Sequence, residues 1–181
     1  MLSSQSPRSG FGVIVPFTPF HFGPSALIGL PLKRWIDIPV FVLANVVVDF
    51  EPLAVMVFRL DYPLYGYFHT LLIGGIVGLL WGLVAYPFRP VWRFLMELVG
   101  LPYQPTLPKM MISGMLGIWL HVLIDSVHYK EINLFFPVTG NPFHEIVSFS
   151  LVSSVCEISM IAALVIYAFL ALRNMGKMGE K

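Results

Sequence analysis

Charged residues are scarce in this sequence of 181 residues. Asp, Glu, Lys and Arg make up 12% of it, whereas an average soluble domain has about 25%. Hydrophobic residues make up 57%, and the mean hydropathy is +0.80, so a water-soluble fold would lack polar side chains for its surface. The net charge of +1 and the absence of a basic tail give no indication of a nucleic-acid partner. The composition therefore predicts an integral membrane protein.

Cysteine is almost absent as well. Cys156 is the single cysteine, which excludes a disulfide framework and a CxxC zinc site. We expect it to be a small buried hydrophobic residue. No G-x-S-x-G motif or Cys–His pattern supplies a side-chain nucleophile. The first thirty residues lack the order of a cleavable signal peptide, so insertion is expected to rely on internal segments.

Long apolar runs, by contrast, are abundant. A membrane-spanning helix needs about 20 mostly apolar residues, and residues 38–58, 64–88, 110–128 and 146–172 qualify. Ahead of them, residues 11–32 are interrupted by Pro and Gly and are expected to form a re-entrant or short helix that begins near His21. We predict an all-α, multi-pass membrane helical bundle of four transmembrane helices plus this N-terminal segment.

The other parts of the chain are expected to be simple. We predict one membrane domain over residues 1–181, with a flexible N-terminus at 1–16 and a cytoplasmic tail at 173–181. Residues 91–99 are expected to form a short amphipathic segment. The small-residue patch at 74–78 is expected to let two helices approach closely.

Four membrane spans place the loops on two sides of the membrane, and the basic residues are unequally divided between these sides. Lys and Arg accumulate in the cytoplasmic loops of membrane proteins. Arg59 and Lys130 fall on one side, and eight basic residues fall on the other. We therefore predict a cell-membrane protein with a cytoplasmic C-terminus and with residues 59–63 and 129–145 outside. The predicted cytoplasmic residues are Lys33, Arg34, Arg89, Arg93, Lys109, Arg173, Lys177 and Lys181.

The stretch HVLIDSVHY places three metal-capable side chains in the third span. His121 and Asp125 are four residues apart and His128 follows three later, so a regular helix puts them on one face. An ionised side chain in mid-bilayer costs roughly 2.5–3.5 kcal/mol on insertion scales and usually faces a cavity or partner. Two imidazoles and a carboxylate suit zinc, or manganese or iron if further oxygens join. The spacing also suits a buried hydrogen-bonded cluster in which Asp125 orients the histidines.

Two carboxylates lie in the first span, Asp49 at mid-depth and Glu51 two residues later. Side chains two apart point to nearly opposite sides of a regular helix. Pro52 cannot donate to the carbonyl of Val48, so a kink or unwound turn is expected, which would turn both carboxylates toward one cavity. If the helix is regular instead, Glu51 is expected at a helix end, solvated or paired with Arg59.

Histidines begin two apolar segments, His21 in PFHFGPS and His69 in GYFHTLL. A lone histidine at such a boundary is commonly interfacial. His69, however, is estimated to lie about 8 Å from the outer boundary, at about 1.5 Å per residue, in the same half of the membrane as Asp49 and His121. These residues are therefore expected to meet in one pocket toward the outer leaflet. Glu157 has no cation at its depth and is expected to be protonated or beside a metal or histidine.

The polar residues follow one another in a particular order: His21, Asp49 with Glu51, His69 with Thr70, His121 with Asp125, then Pro137. This order resembles a family of membrane-bound metal-dependent hydrolases of bacteria and archaea, with Glu51 in place of a second Asp. The resemblance covers residues 17–138 and implies a metal-dependent hydrolase. More distantly, the order is similar to the zinc-dependent phospholipase C and single-strand nuclease superfamily. That likeness implies further ligands by order only, among Asp49, His128 and His144.

Together these features predict a membrane-embedded metal-dependent hydrolase of phosphoesters, with a lipid-linked substrate from the outer leaflet. A divalent metal, zinc first and manganese or iron otherwise, would lower the pKa of a bound water toward about 7 and polarise a phosphoryl oxygen. Glu51 and Glu157 are the predicted general acid and base. The predicted metal ligands are His21, Asp49, His69, His121, Asp125 and His128.

Two other classes of protein stay open at this point. The same His and Asp cluster could bind or translocate a metal ion or a proton without catalysis. A purely structural cluster that holds helices together is the third possibility. The sequence leaves the substrate, the number of metal ions and the oligomeric state undetermined.

Overall fold

The computed structural model describes residues 21–179, with side chains through residue 173. Within this range it is all-helical and contains no strand, so the predicted fold class is confirmed. Two 3-10 turns, Tyr67–His69 and Tyr86–Phe88, precede and follow the third helix. The six helices are α1 Phe22–Gly29, α2 Ile38–Phe58, α3 Leu71–Ala85, α4 Arg89–Leu98, α5 Leu107–Ser126 and α6 Phe149–Gly179.

Four helical segments are long and apolar enough to cross a membrane. They are Ile38–Phe58, Leu71–Leu98, Leu107–Ser126 and Phe149–Arg173. The short N-terminal helix expected near His21 is α1, and the expected amphipathic segment at 91–99 corresponds to α4. The predicted tail from residue 173 continues α6 as helix as far as Gly179. The N-terminus predicted to be flexible, 1–16, lies outside the described residues.

The start of α3 differs from the prediction and matters for the site. Thr70 caps the helix, because its hydroxyl accepts a hydrogen bond from the Ile73 amide at 3.1 Å. The helix therefore begins at Leu71, later than the predicted residue 64. His69 consequently lies in the turn before α3 and not inside a helix.

Helix α5 lies between α2 and α3, and glycines let it approach both. A Cβ atom added to Gly78 of α3 would lie 2.5 Å from the Cα of Met115 on α5. One added to Gly117 of α5 would lie 2.6 Å from the Cβ of Ala44 on α2. The predicted role of the small-residue patch at 74–78 is therefore confirmed.

Helix α6 joins the bundle mainly through α1, which also contacts α2. A Cβ atom at Gly23 of α1 would lie 2.8 Å from the amide nitrogen of Met160 on α6. Only 17% of the spanning window of α6 is buried, against 39% for α2 and for α5. Because α1 is held between two long helices, its first turn is fixed inside the bundle.

Helix α2 runs through Pro52 as one assigned helix, so the predicted unwound turn does not form. Asp49 and Glu51 accordingly face different neighbours. Asp49 lies against α5, where its Oδ1 is 3.4 Å from His121 Nε2. Glu51 faces the 3-10 turn that contains His69. The two carboxylates thus approach the same histidine-rich region from two sides without any break in the helix.

The segment between α5 and α6 folds back over the end of the bundle that contains the histidines. Ile132 and Leu134 are fully buried there, and the Leu71 amide donates to the Leu134 carbonyl at 2.9 Å. These side chains pack in one hydrophobic cluster with Ala44, Val48, Tyr65, Ile118 and Val122. The polar residues are thereby enclosed in an apolar shell.

Candidate metal centre

Five of the predicted ligands come together from four elements of the fold. His21 is the N-cap residue of α1, Asp49 lies in α2 and His69 ends the 3-10 turn before α3. His121 and Asp125 lie one turn apart on α5. Their exposed fractions range from 0 to 4%, so all five are shielded from solvent.

Four of these residues form a compact group that could hold a metal ion. Asp49, His69, His121 and Asp125 each offer one ligand atom, and these atoms lie within 4.8 Å of one another. The Nε2 atom of His121 lies 3.2 Å from Asp125 Oδ2 and 3.4 Å from Asp49 Oδ1. We refer to these four residues as the Asp–His cluster.

His21 borders the Asp–His cluster. Its Nε2 atom lies 3.1 Å from Asp125 Oδ1, and its ring stacks on that of His121 with centroids 4.2 Å apart. The two oxygens of Asp125 therefore face two different histidines. His21 is placed either to orient Asp125 or to join it as a ligand.

Two of the separations in the Asp–His cluster are close to those of donors that share one ion. In a tetrahedral zinc site with bonds of about 2.0–2.1 Å, neighbouring donor atoms lie roughly 3.3–3.4 Å apart. The two His121–carboxylate distances of 3.2 and 3.4 Å are close to this value. Although both are within hydrogen-bonding distance, Nε2 of His121 makes no hydrogen bond to a described residue.

Several buried polar atoms in this region have no hydrogen-bond partner among the described residues. They include Nε2 of His69, both ring nitrogens of His121 and Oδ1 of Asp49. An unsatisfied buried polar group costs about 1–3 kcal/mol. A purely hydrogen-bonded cluster, the alternative considered above, would pair these atoms with one another. A divalent cation would instead satisfy donor atoms from both carboxylates and both histidines, so the residues fit such an ion.

Glu51 holds His69 from the side opposite the Asp–His cluster. Its Oε2 atom lies 3.1 Å from Nδ1 of His69 and accepts hydrogen bonds from the Gly66 and Phe68 amides at 3.1 and 3.0 Å. Its Oε1 atom accepts one from the Tyr62 hydroxyl at 3.2 Å. A carboxylate accepts hydrogen bonds, so we assign Nδ1 of His69 as the donor to it, and in the neutral imidazole Nε2 then carries the lone pair. These contacts support a positioning role, and the predicted general acid–base role of Glu51 stays a prediction.

Two tyrosines that the sequence reasoning missed cover the Asp–His cluster. The Tyr65 ring lies 4.9 Å from His69 and 4.3 Å from Tyr129, centroid to centroid. Burial raises the pKa of both phenols, and the charges of Asp125 and Asp49 raise it further. A signal was present in the sequence, since Tyr129 is four residues after Asp125 and Tyr65 four before His69.

His128 lies outside the Asp–His cluster, contrary to the expectation that it shares a helical face with His121. Helix α5 ends at Ser126, and the amide of Asn141 donates to the Ser126 carbonyl at 2.6 Å. His128 therefore sits in the following turn, with its ring 4.7 Å from that of Phe149. Burial lowers its pKa.

Glu157 is also outside the Asp–His cluster. The face of α6 that points inward carries Cys156, Ser159 and Ala163, all buried, and this rotation of the helix leaves Glu157 exposed. His144, the other candidate by order, has a side chain 24% exposed with Nδ1 3.9 Å from Glu145. Neither residue reaches the four ligand atoms.

In comparisons with protein-family models, curated proteins and solved structures, no match was found. The resemblance drawn from the order of the polar residues thus has no independent support or contradiction. What the chain can do must be inferred from the geometry of the Asp–His cluster itself.

Proposed function

We propose that this chain is a membrane-embedded metal-dependent hydrolase that cleaves phosphoesters. The observation that carries the proposal is the convergence of Asp49, His69, His121 and Asp125 at distances suited to one shared cation. Two imidazoles and two carboxylates suit zinc, or alternatively manganese or iron. When bound, such an ion lowers the pKa of a water ligand to about 7 and polarises a phosphoryl oxygen.

The neighbouring residues would divide the remaining tasks. Glu51 fixes the His69 ring through Nδ1, which keeps Nε2 directed away from Glu51 and available as a ligand. Tyr65 and Tyr129 are protonated at neutral pH, as an ordinary tyrosine is, and burial raises their pKa values further. Their hydroxyls are thus able to donate hydrogen bonds to the oxygens of a phosphoester, where negative charge increases during cleavage.

The position of the site along the bundle supports a lipid-linked substrate. The Asp–His cluster lies near the end of α5, whereas Lys109 lies at its start, about 18 Å away at about 1.5 Å per residue. Lys33, Arg34 and Arg89 lie at the same end of the bundle as Lys109, at the start of α2 and the end of α3. By the positive-inside rule that end is cytoplasmic, so the site would face the outer leaflet.

Metal content is the first test. The protein is purified in a neutral detergent, and bound metals are measured by elemental analysis for the wild type and for His121→Ala and Asp125→Ala. We expect stoichiometric zinc, manganese or iron in the wild type and loss of it in both variants. His144→Ala is the matched control, because His144 lies outside the Asp–His cluster and should leave the metal content unchanged. A metal-free wild type, after supply of each metal, would overturn the proposal.

Hydrolysis is the second test and separates an enzyme from a metal carrier. A panel of phospholipids and lipid-linked phosphoesters is incubated with the metal-loaded protein, and released phosphate or head group is measured. We expect release that a chelator abolishes and added metal restores. If metal binds but no substrate is cleaved, while reconstituted vesicles take up the ion, the chain is a metal transporter instead.

A further inference from the structure

A cavity lies at the opposite end of the bundle from the Asp–His cluster. It has a volume of about 470 Å³ and lies between the α1–α2 loop and the segment that joins α4 to α5. Three of its seven lining residues are cations and none is acidic. The lining residues are Lys33, Arg34, Trp35, Pro102, Gln104, Thr106 and Lys109.

The three cations of this basic cavity lie on two neighbouring segments of the chain. The Lys109 ammonium donates to the Lys33 carbonyl at 2.8 Å, which keeps it beside the loop that carries Arg34. None of the three forms an ion pair with an acidic side chain in the described part of the chain. The charge of the buried Asp37 carboxyl interacts with that of Lys109, and the Tyr103 hydroxyl donates to this carboxyl at 2.8 Å. Like charges gathered around a cavity raise the local concentration of anions.

The first turn of α5 adds donors to the same cavity. Thr106, which lines the cavity, is the N-cap residue of this 20-residue helix, and its side chain makes no capping hydrogen bond. The amides of Leu107 and Lys109 in this first turn have no carbonyl partner four residues earlier within the helix, whereas Pro108 has no amide hydrogen. Together with the positive end of the helix dipole, they favour an anionic group. The cavity therefore combines side-chain cations with main-chain donors.

Trp35 marks the cavity as lying at the level of lipid head groups. Its side chain is 71% exposed, and the Arg34 guanidinium lies 5.5 Å from the centroid of its ring. Leu32, three residues earlier, is 42% exposed. Exposed tryptophans beside Lys and Arg are typical of the membrane–water interface.

We propose that this basic cavity binds a phosphate group, carried by the head group of an anionic phospholipid or by a free phosphate ion. The Arg34 guanidinium offers a planar pair of donors to two phosphate oxygens, and Lys33 and Lys109 add point charges. The site is independent of the proposed hydrolase function, because Lys109 and His121 are twelve positions apart on α5, about 18 Å at about 1.5 Å per residue.

The test measures binding by native mass spectrometry and by thermal shift in an uncharged detergent. The probes are phosphatidylglycerol, phosphatidylcholine and inorganic phosphate. We expect phosphatidylglycerol to bind more tightly than phosphatidylcholine. In Lys33→Gln/Arg34→Gln its affinity should fall about 25-fold, because each cation near a membrane surface contributes about five-fold. Arg89→Gln/Arg173→Gln is the matched control, since it removes two cations from the same end of the bundle but outside the cavity.

Each outcome decides the proposal. The proposal is supported if phosphatidylglycerol still binds the control variant but no longer binds the cavity variant. If inorganic phosphate does not compete with this binding, the phosphate group is that of a lipid head group. Saturable binding of inorganic phosphate that the cavity variant loses supports it with a free ion as the source. The proposal would be overturned if both double variants lost the same affinity for phosphatidylglycerol. It would also be overturned if the protein bound both lipids equally and did not bind inorganic phosphate. If Lys33→Gln/Arg34→Gln does not fold, Arg34→Gln alone changes an exposed side chain and should weaken binding about five-fold.

Discussion

Replacement of Glu51 tests whether its carboxylate orients His69 or acts as a general acid or base. Oε2 lies within 3.1 Å of three donors, the Gly66 and Phe68 amides and Nδ1 of His69. Oε1 accepts from the Tyr62 hydroxyl and the Phe68 amide, both at 3.2 Å. The Glu51 side chain is only 8% exposed and that of His69 is fully buried. Water therefore has little access to replace the carboxylate.

The structure sets the size of the expected effect. In Glu51→Ala the buried donors lose their acceptor, at a cost of about 1–3 kcal/mol for each group left unpaired. Loss of the partner that orients a metal-bound histidine typically weakens metal affinity about 10–100-fold. For Glu51→Ala we expect metal affinity to fall by close to 100-fold, the upper limit of this range. Glu51→Gln should stay near the lower limit, because its amide oxygen can still accept from Nδ1 of His69.

The assay is competition for zinc between the protein and a chromophoric chelator, with thermal denaturation of the same samples. Glu145→Gln is the control, because Glu145 is 83% exposed and lies beside His144, outside the Asp–His cluster. Glu145→Gln should change neither the zinc affinity nor the Tm. Unaltered metal affinity in Glu51→Ala would refute the positioning role. If hydrolysis then falls about 10²–10⁴-fold at full metal occupancy, Glu51 is the general acid or base instead.

Three further predictions concern packing, the site and pH. In Gly78→Ala the new methyl would lie 2.5 Å from the Met115 Cα, so we expect a loss of about 1–3 kcal/mol in the free energy of unfolding, measured in detergent. In Tyr129→Phe the ring that packs on Tyr65 stays but the hydroxyl is lost, so kcat should fall about 10²–10³-fold with metal content unchanged. Burial raises the pKa of Asp37, so the protonated carboxyl is favoured in the folded state, and its stabilising contribution is lost as the pH rises through the folded pKa. Asp37→Asn, which can still cap α2, should therefore raise Tm more at pH 8 than at pH 4, near the ordinary pKa of 3.8.

Controls for these three predictions are available in the chain. Leu80→Ala, which truncates a side chain 53% exposed on α3, should cost less stability than Gly78→Ala. A parallel loss of metal in Tyr129→Phe would mean that the hydroxyl supports the Asp–His cluster and not the reaction. An equal change of Tm at both pH values in Asp37→Asn would contradict the raised pKa.

The helices themselves were predictable because their main determinant is local. A run of about 20 apolar residues satisfies its backbone within one segment, whatever its neighbours are, and α2 accordingly matches the predicted 38–58. Helix ends were predicted less well. The end of α5 at Ser126 is satisfied by Asn141, fifteen residues later, and hydropathy carries no information about such a distant donor.

Part of the candidate site was predictable for the same reason. The spacing of His121 and Asp125 is a property of one helix, and both are buried together in the structure. The position of Asp49 and His69 within their predicted spans also placed both in the same half of the membrane. The partner of Glu51 could not be found this way, because the turn that carries His69 returns to α2 only in the folded chain.

The sequence by itself determined an all-helical membrane protein with metal-capable side chains in one half of its spans, because hydropathy and helical spacing act over one or two turns. Only the tertiary structure decided which of those side chains converge. It brought His69 to Asp49 and placed Tyr65 and Tyr129 over the Asp–His cluster. It also left Glu157 exposed and His128 beyond the end of α5. The rotation of α6 and the end of α5 depend on contacts with distant segments, so neither could be inferred from local pattern.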